Sequence, residues 1–190
     1  MEYRKMKKGE ELESARISAQ AFNFKLQVEK FNKELAEGKH TIDESRVAIN
    51  EAGKMVASLV VLPHDVYFDG QIVKSGGIGG VASLPEHRRG GNIRKLFELI
   101  MNDMYDEDYT FSYLYPFSFT YYRMFGYELG TTNLAIEVDV DKLFKYKQKG
   151  HAEVFEKDTD PTDIVAIYNE FAKKYNFMLD RDGKHWRDKL

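Results

Sequence analysis

Ser75-Gly-Gly-Ile-Gly-Gly-Val-Ala-Ser-Leu-Pro-Glu-His-Arg-Arg-Gly-Gly-Asn-Ile-Arg94 decides how this chain is read. Its first third is too rich in glycine for a helix, and Val81 to Leu84 is strand-like. Beyond it, Leu96, Phe97, Leu99, Ile100 and Met104 recur at helical spacing. The order is therefore strand, tight loop, helix, with Arg88, Arg89, Gly90 and Gly91 where the helix begins. A helix N-terminus carries free N–H groups and partial positive charge, which attract phosphate. Glycine lets that backbone approach a ligand closely, and two arginines add charge and forked donors. The loop reads as a cradle for a pyrophosphate.

Two other phosphate motifs are excluded. No Lys-Ser or Lys-Thr follows a glycine at Walker spacing. Gly77-x-Gly79-x-x-Ala82 matches a dinucleotide fingerprint in letters, but strand residues and Pro85 follow it where that fingerprint needs a helix. A solvated basic turn capping an ordinary helix is the remaining alternative for Arg88 to Gly91.

Glycines inside a strand mark a bulge or a close approach by another backbone or a ligand. An extended ligand could pair with Val81, Ala82 and Ser83 like an added strand. Thr110 to Leu114 reads as a second strand, parallel to the first, with the helix as crossover. Phe117 and Ser118 follow at its C-terminal end, where ligands of open α/β sheets gather.

Next comes Tyr113-Leu-Tyr-Pro-Phe-Ser-Phe-Thr-Tyr-Tyr-Arg-Met-Phe-Gly-Tyr127. Together the two stretches resemble the acetyl-coenzyme A sites of the GNAT N-acetyltransferase superfamily. Arg88-x-x-Gly91-x-Ile93 matches its pyrophosphate motif, with Ile93 where a small residue is usual, and Tyr122-Arg-Met-Phe-Gly126-Tyr127 matches its distal aromatic motif. The fuller pattern Gly-Val-Ala-x-x-Pro-x-His-Arg-Arg-x-Gly is similar to the Eis-type (enhanced intracellular survival) branch. The likeness runs over about the first three quarters of the chain.

The resemblance implies an α+β fold: a twisted mixed sheet, mostly antiparallel, with one splayed parallel strand pair and helices on both faces. It implies acetyl-CoA as cosubstrate, with no metal. The pantetheine would lie along Val81 to Ser83, and the pyrophosphate on Arg88, Arg89, Gly90, Gly91, Asn92, Ile93 and Arg94, with Phe117 and Ser118 nearby. The implied acceptor is a primary amine of a small molecule or a lysine side chain, attacking directly in a ternary complex. The leaving thiolate needs a proton, and a phenol suits that step. Family position gives the role to Tyr122, with Tyr115, Tyr121 and Tyr127 as rivals. The general base stays open between a glutamate, His64 and a water chain. A non-catalytic acyl-CoA- or nucleotide-binding module would keep the cradle without needing Tyr122. A hydrolase or kinase lacks support, since neither Gly-x-Ser-x-Gly nor His-Glu-x-x-His occurs.

The remaining chain fits one domain and part of another. Residues 1–38 read as two helices, with Leu12, Ala15, Ala19 and Phe22 on one face and Phe24, Val28, Phe31 and Leu35 on the next. The resemblance makes this region an acceptor wall that Phe22, Phe24 or Phe31 would touch. Strands at 46–50 and 55–62 flank a turn at Gly53, and Asp69-Gly70 marks a second hairpin. His64 and Asp65 read as a turn after Pro63. Thr131 to Asp139 alternates like a strand, 141–149 reads as a short helix or tail, and Val154 to Glu156 is strand-like. Pro161 opens a helix carrying Ile164, Ile167, Tyr168 and Phe171. Residues 1–150 are expected to form the acetyl-CoA-binding domain, and the Eis-type resemblance makes 151–190 the opening of a second, acetyltransferase-like domain, with a single domain whose last helix packs on itself as the alternative. Trp186 reads as a packing anchor.

The 190 residues carry a net charge of −3, which gives no argument for nucleic acid or membrane. There is no cysteine, which excludes disulfides, thiolate zinc and a cysteine acyl-enzyme. No membrane-length apolar run or signal-peptide core is seen, so a soluble cytoplasmic protein is expected; homo-oligomerisation is left open.

Overall fold

The computed structural model describes the chain apart from residues 39–43, 133, 145, 146, 148, 152, 157 and 190. It divides into two compact units: Met1–Val66 with Val73–Glu128, and Tyr67–Ile72 with Leu129–Leu190.

The first unit is built on a five-stranded sheet, β1 (Glu2–Lys5), β2 (Ser45–Ile49), β3 (Met55–Phe68), β4 (Gln71–Ser83) and β5 (Phe111–Leu114), ordered as in the sequence. Strand β1 pairs antiparallel with β2, Glu2 opposite Ile49. β1 is absent from the sequence reading because Glu-Tyr-Arg-Lys has no apolar alternation; its partner alone defines it. Strands β2 and β3 are antiparallel, with a bulge at Ala48/Ile49, and Gly53 turns between them at φ 76°. Asp69 and Gly70 join β3 to β4, both at positive φ, which glycine and aspartate tolerate.

β3 runs unbroken through Pro63, His64 and Asp65, so the expected turn there is corrected. Among the described residues the β2–β3 contacts nearest to it are the Ser45–Val60 pair and Val61 N–H donating to the Glu44 carbonyl, so Pro63 lies past the described pairing, where a proline is admissible.

Helices cover both sides. α1 (Glu11–Ala21) buries Ile17 with Val47, Ile49 and Met55. α2 (Val28–Ala36) follows, half-burying Phe31 and Leu35. α3 (Asn92–Asp106) buries Leu96, Phe97, Ile100 and Met104 with Ala48, Val56 and Ile78. Strand periodicity explains why Val47 and Ile49 join one core cluster and Ala48 the other. Each fully buried aliphatic contributes roughly 1.5–3 kcal/mol. A Cβ on Gly76 would displace the flexible end of Met104 and crowd Val61 Cγ1 at 3.1 Å, so the glycine leaves room for both side chains. Arg46 and Asp103 lock α3 to β2 with an Nε–Oδ2 ion pair of 2.6 Å.

α4 (Phe119–Arg123) comes after β5. In the second unit, α5 (Val140–Leu143) is one turn, α6 (Thr162–Ala172) follows Pro161, and α7 spans Gly183–Lys189. Tyr67 exchanges backbone hydrogen bonds with Phe177 and Met178, and its hydroxyl reaches Asp180 at 2.9 Å. Trp186 packs edge-on against Tyr168, centroids 5.5 Å apart, as an anchor should.

Two expected strands are corrected. The described residues of 131–139 are not a strand, and residue 133 lies outside the described residues. Their alternation is real, but Leu134 and Ile136 are 84% and 75% exposed, and the sheet ends at β5. A strand is completed by a neighbour's hydrogen bonds, which alternation alone cannot supply. Val154 to Glu156 is likewise irregular, with Val154 81% exposed.

Candidate functional site

The parallel β4–β5 ladder has four Cα pairs, from Ser75–Phe111 to Ile78–Leu114. β5 ends there, whereas β4 continues to Ser83. On its β5 side, the stretch 79–83 therefore runs past the ladder with backbone groups open to an extended guest. Val81 and Ser83 are half-buried; Ala82 is buried in the core. The Gly80 φ of +57° bends the strand at this departure.

Leu84 N–H donates to the Val56 carbonyl, and Pro85–His87 makes one 3-10 turn. The cradle follows. Arg88 is extended, Arg89 has φ 62°, and Gly91, the residue capping α3, has φ 79° and ψ 4°. Left-handed residues alternating with other conformations are the geometry of anion-binding nests. Lys95 N–H donates to the Gly91 carbonyl as the first helical bond, so the N–H groups of Asn92, Ile93 and Arg94 precede the ladder of α3. Arg88, Arg89 and Gly91 are exposed, and neither arginine has an ion-pair partner among the described residues.

Asn92 is 5% exposed and its side chain is spoken for. Its Nδ2 donates to the His87 carbonyl at 3.1 Å, and its Oδ1 accepts from the Tyr3 hydroxyl at 3.0 Å. It pins the loop to β1, leaving only its backbone N–H for a guest. Ile93 packs against the core, and Arg94 lies over the Phe125 ring, 5.5 Å from its centroid.

Ser118 caps α4, its Oγ accepting from Tyr121 N–H, while Phe117 is 75% exposed with its ring against Tyr121 and Tyr122. Tyr122 is 5% exposed inside a ring cluster with Phe97, Phe117, Tyr121 and Tyr127. Burial, reinforced by Tyr121, raises its pKa, so the phenol keeps its proton through neutral pH. Its hydroxyl has no hydrogen-bond partner among the described residues.

The rivals are placed differently. Tyr115 is 88% exposed. The Tyr127 hydroxyl is tied to Ser112 Oγ, and burial pushes its pKa to about 12 despite that bond. Tyr121 packs on Phe117 and Phe125, its pKa raised by burial and held back by Arg94. The spacing of the aromatic motif has a local cause. Gly126, at φ 88°, turns the chain so that Tyr127 N–H returns to the Tyr122 carbonyl.

His64 is exposed on β3, its ring 6.2 Å from that of Tyr113 on β5. Phe22 and Phe24 are 56% and 51% exposed after α1. The structure thus brings Tyr122, Phe117 and Ser118 together just past β5. Val81 to Ser83 and the loop 88–94 are brought together along the end of β4 and the start of α3. Sequence reasoning missed Tyr3, whose hydroxyl holds the Asn92 side chain; nothing in its surroundings in the chain marks it.

Residues 2–130 match the family model of the acetyltransferase (GNAT) domain, and the chain belongs to that family. Among solved structures, a probable N-acyltransferase from Enterococcus faecalis is 31% identical, with TM-score 0.60 over 67% of this chain and 32% of its own. A GCN5-related N-acetyltransferase from Anabaena variabilis is 21% identical, with TM-score 0.70 over 98% of this chain and 47% of its own. Eis1 from Mycobacterium abscessus is 16% identical, with TM-score 0.71 over 100% of this chain and 47% of its own. The chain spans about a third to a half of the length of these three. No curated protein matches the sequence. Among the described residues, no helix is long and apolar enough to cross a membrane.

Proposed function

We propose that this protein transfers an acetyl group from acetyl-CoA to a primary amine of a small molecule or a lysine side chain, within a ternary complex. The observation that carries the reading is the continuation of β4 past the last β4–β5 pair, directly into the left-handed turns at Arg89 and Gly91. Pantetheine pairs there with the backbone of Val81 to Ser83, and the pyrophosphate takes the N–H groups from Arg89 to Arg94. The residues fit such a guest, because an open strand edge and a helix start whose Arg88 and Arg89 have no ion-pair partner among the described residues sit in one run of sequence.

The amine nitrogen attacks the thioester carbonyl, forming the C–N bond. Open backbone N–H groups of β4 stabilise the oxyanion. Collapse breaks the C–S bond, the Tyr122 hydroxyl gives its proton to the thiolate, and the proton lost by the amine returns to the phenolate through solvent. The Eis-type assignment rests on the Gly80 to Gly91 pattern, and a cytoplasmic setting goes with it. Residues 1–150 act as the acetyl-CoA-binding domain, with 151–190 opening a second one.

Calorimetry with acetyl-CoA, followed by an amine panel read with a thiol-reactive dye, tests this. Binding plus amine-dependent thiol release is expected. Binding with no release for any amine would leave an acyl-CoA-binding module.

A further inference from the structure

Asn92 is the first residue of α3 and is buried where the phosphate loop meets the helix. Its side chain clips that loop. Nδ2 donates to the carbonyl of His87, 5 residues back, so the run from Arg88 to Gly91 is held at both ends. Inside the clip stand two left-handed residues, Arg89 at φ 62° and Gly91 at φ 79°. Glycine takes that conformation freely, whereas an arginine there is strained and keeps it only where its surroundings hold it. The directions of the backbone N–H groups in the loop follow from those two turns.

The Asn92 amide has one usable orientation. A carbonyl accepts and never donates, so His87 requires the amide nitrogen to face it, and the amide oxygen then faces away. That oxygen is met by the Tyr3 hydroxyl, which donates to Oδ1 at 3.0 Å. Tyr3 is on β1, opposite Ala48 on β2, and it packs against the core cluster that contains Leu96 and Phe97 of α3. Its place is therefore set by the sheet and the core, and not by the loop. A buried amide oxygen without a donor is costly, so the hydroxyl keeps the Asn92 side chain in place and, through it, the His87 carbonyl.

We propose that Tyr3 is a positioning residue for the pyrophosphate of acetyl-CoA: acting through Asn92 and His87, its hydroxyl presets the turns at Arg89 and Gly91 that receive the guest. This rests on the reading of the loop 88–94 as the pyrophosphate cradle. A loop already in shape needs little ordering when the ligand arrives. One released from its clip must be ordered by the ligand, and affinity falls accordingly. The effect is confined to the nucleotide end, because Val81 to Ser83 belong to β4 and lie outside the clip.

Calorimetry with acetyl-CoA and with S-acetylpantetheine, which has the thioester arm and no pyrophosphate, separates this role from a merely structural one. Tyr3→Phe keeps the ring, and should weaken acetyl-CoA by about threefold to tenfold, the range of one net hydrogen bond, with acetylpantetheine unchanged. Asn92→Leu should lose at least as much. The double variant should lose no more than Asn92→Leu alone, since the hydroxyl acts through that amide. If Asn92→Leu does not fold, Tyr3→Phe with the two ligands decides. A Tyr3→Phe loss below about threefold, a loss shared equally by acetylpantetheine, or losses that add in the double variant overturns the proposal. A parent protein that binds no acetyl-CoA is a different failure: it refutes the acetyl-CoA reading itself, and this proposal with it.

Discussion

Ile78 and Leu114 are the last paired residues of the parallel ladder between β4 and β5. Beyond them β4 bends at Gly80 and continues, while the chain after Leu114 leaves the sheet for α4. Two consequences follow, a strand edge that runs past its β5 partner before the cradle and an aromatic cluster past β5.

Gly91→Val should weaken acetyl-CoA binding at least about tenfold, or 1.4 kcal/mol. The cause is conformational: φ is 79°, and a Cβ there would meet nothing within 4 Å. A β-branched residue resists that left-handed turn, whereas Gly91→Asn, which tolerates it, should keep most of the affinity. Unchanged calorimetric affinity in a folded Gly91→Val protein would refute the cradle.

Tyr122→Phe should lower kcat by about 10²–10⁴ and leave acetyl-CoA affinity nearly unchanged. Because the hydroxyl has no partner among the described residues, its removal should cost less than about 1 kcal/mol of stability. A kcat within about threefold of the parent, in place of the losses a proton donor produces, would move the role elsewhere.

Asp103→Ala should destabilise the protein by about 3 kcal/mol, since it strips the carboxylate from the Arg46 guanidinium, only 5% exposed. For a chain of this size that lowers Tm by roughly 6–12 °C. A thermal melt shifted by less than 2 °C, or about 1 kcal/mol, would show that Arg46's other neighbours suffice.

Tyr127 predicts an alkaline limit. Its folded pKa is raised to about 12 while the unfolded chain titrates near 10. A raised pKa means stability present below pH 10 and lost as pH climbs from 10 to 12, because only the unfolded state sheds the proton there. Denaturant melts should weaken across that window, and Tyr127→Phe should flatten the slope. Parallel slopes in the two proteins would refute this account.

A chain ending at residue 150 should fold and bind acetyl-CoA, since the sheet and its helices α1 to α4 lie before that point. Loss of Tyr67's bonds to Phe177, Met178 and Asp180 should fray the hairpin tip. An unfolded product by circular dichroism would mean that the two parts are one cooperative body.

Much of the fold was legible because it is locally encoded. Apolar spacing from Leu96 to Met104 foretold α3, Asp69-Gly70 foretold the β3–β4 turn, and the order strand, basic glycine loop, helix foretold the parallel crossover. The aromatic motif was legible as spacing, but its cause, the Gly126 turn bringing Tyr127 back to Ser112, was not. β1 was missed and 131–139 over-read for the same reason: a strand is defined by its partner. Glu2–Lys5 has one, and the described residues of 131–139 do not.

The sequence by itself determined the elements whose periodicity and turn chemistry are local, and the loop whose arginines and glycines sit in one short run. Only the tertiary structure decided where the β4–β5 pairing stops, which hydroxyls are left without partners, and that Tyr3 and Asn92, 89 positions apart, share a hydrogen bond. Those outcomes depend on strand register and on helices closing over the sheet, contacts between distant residues that no window of sequence contains.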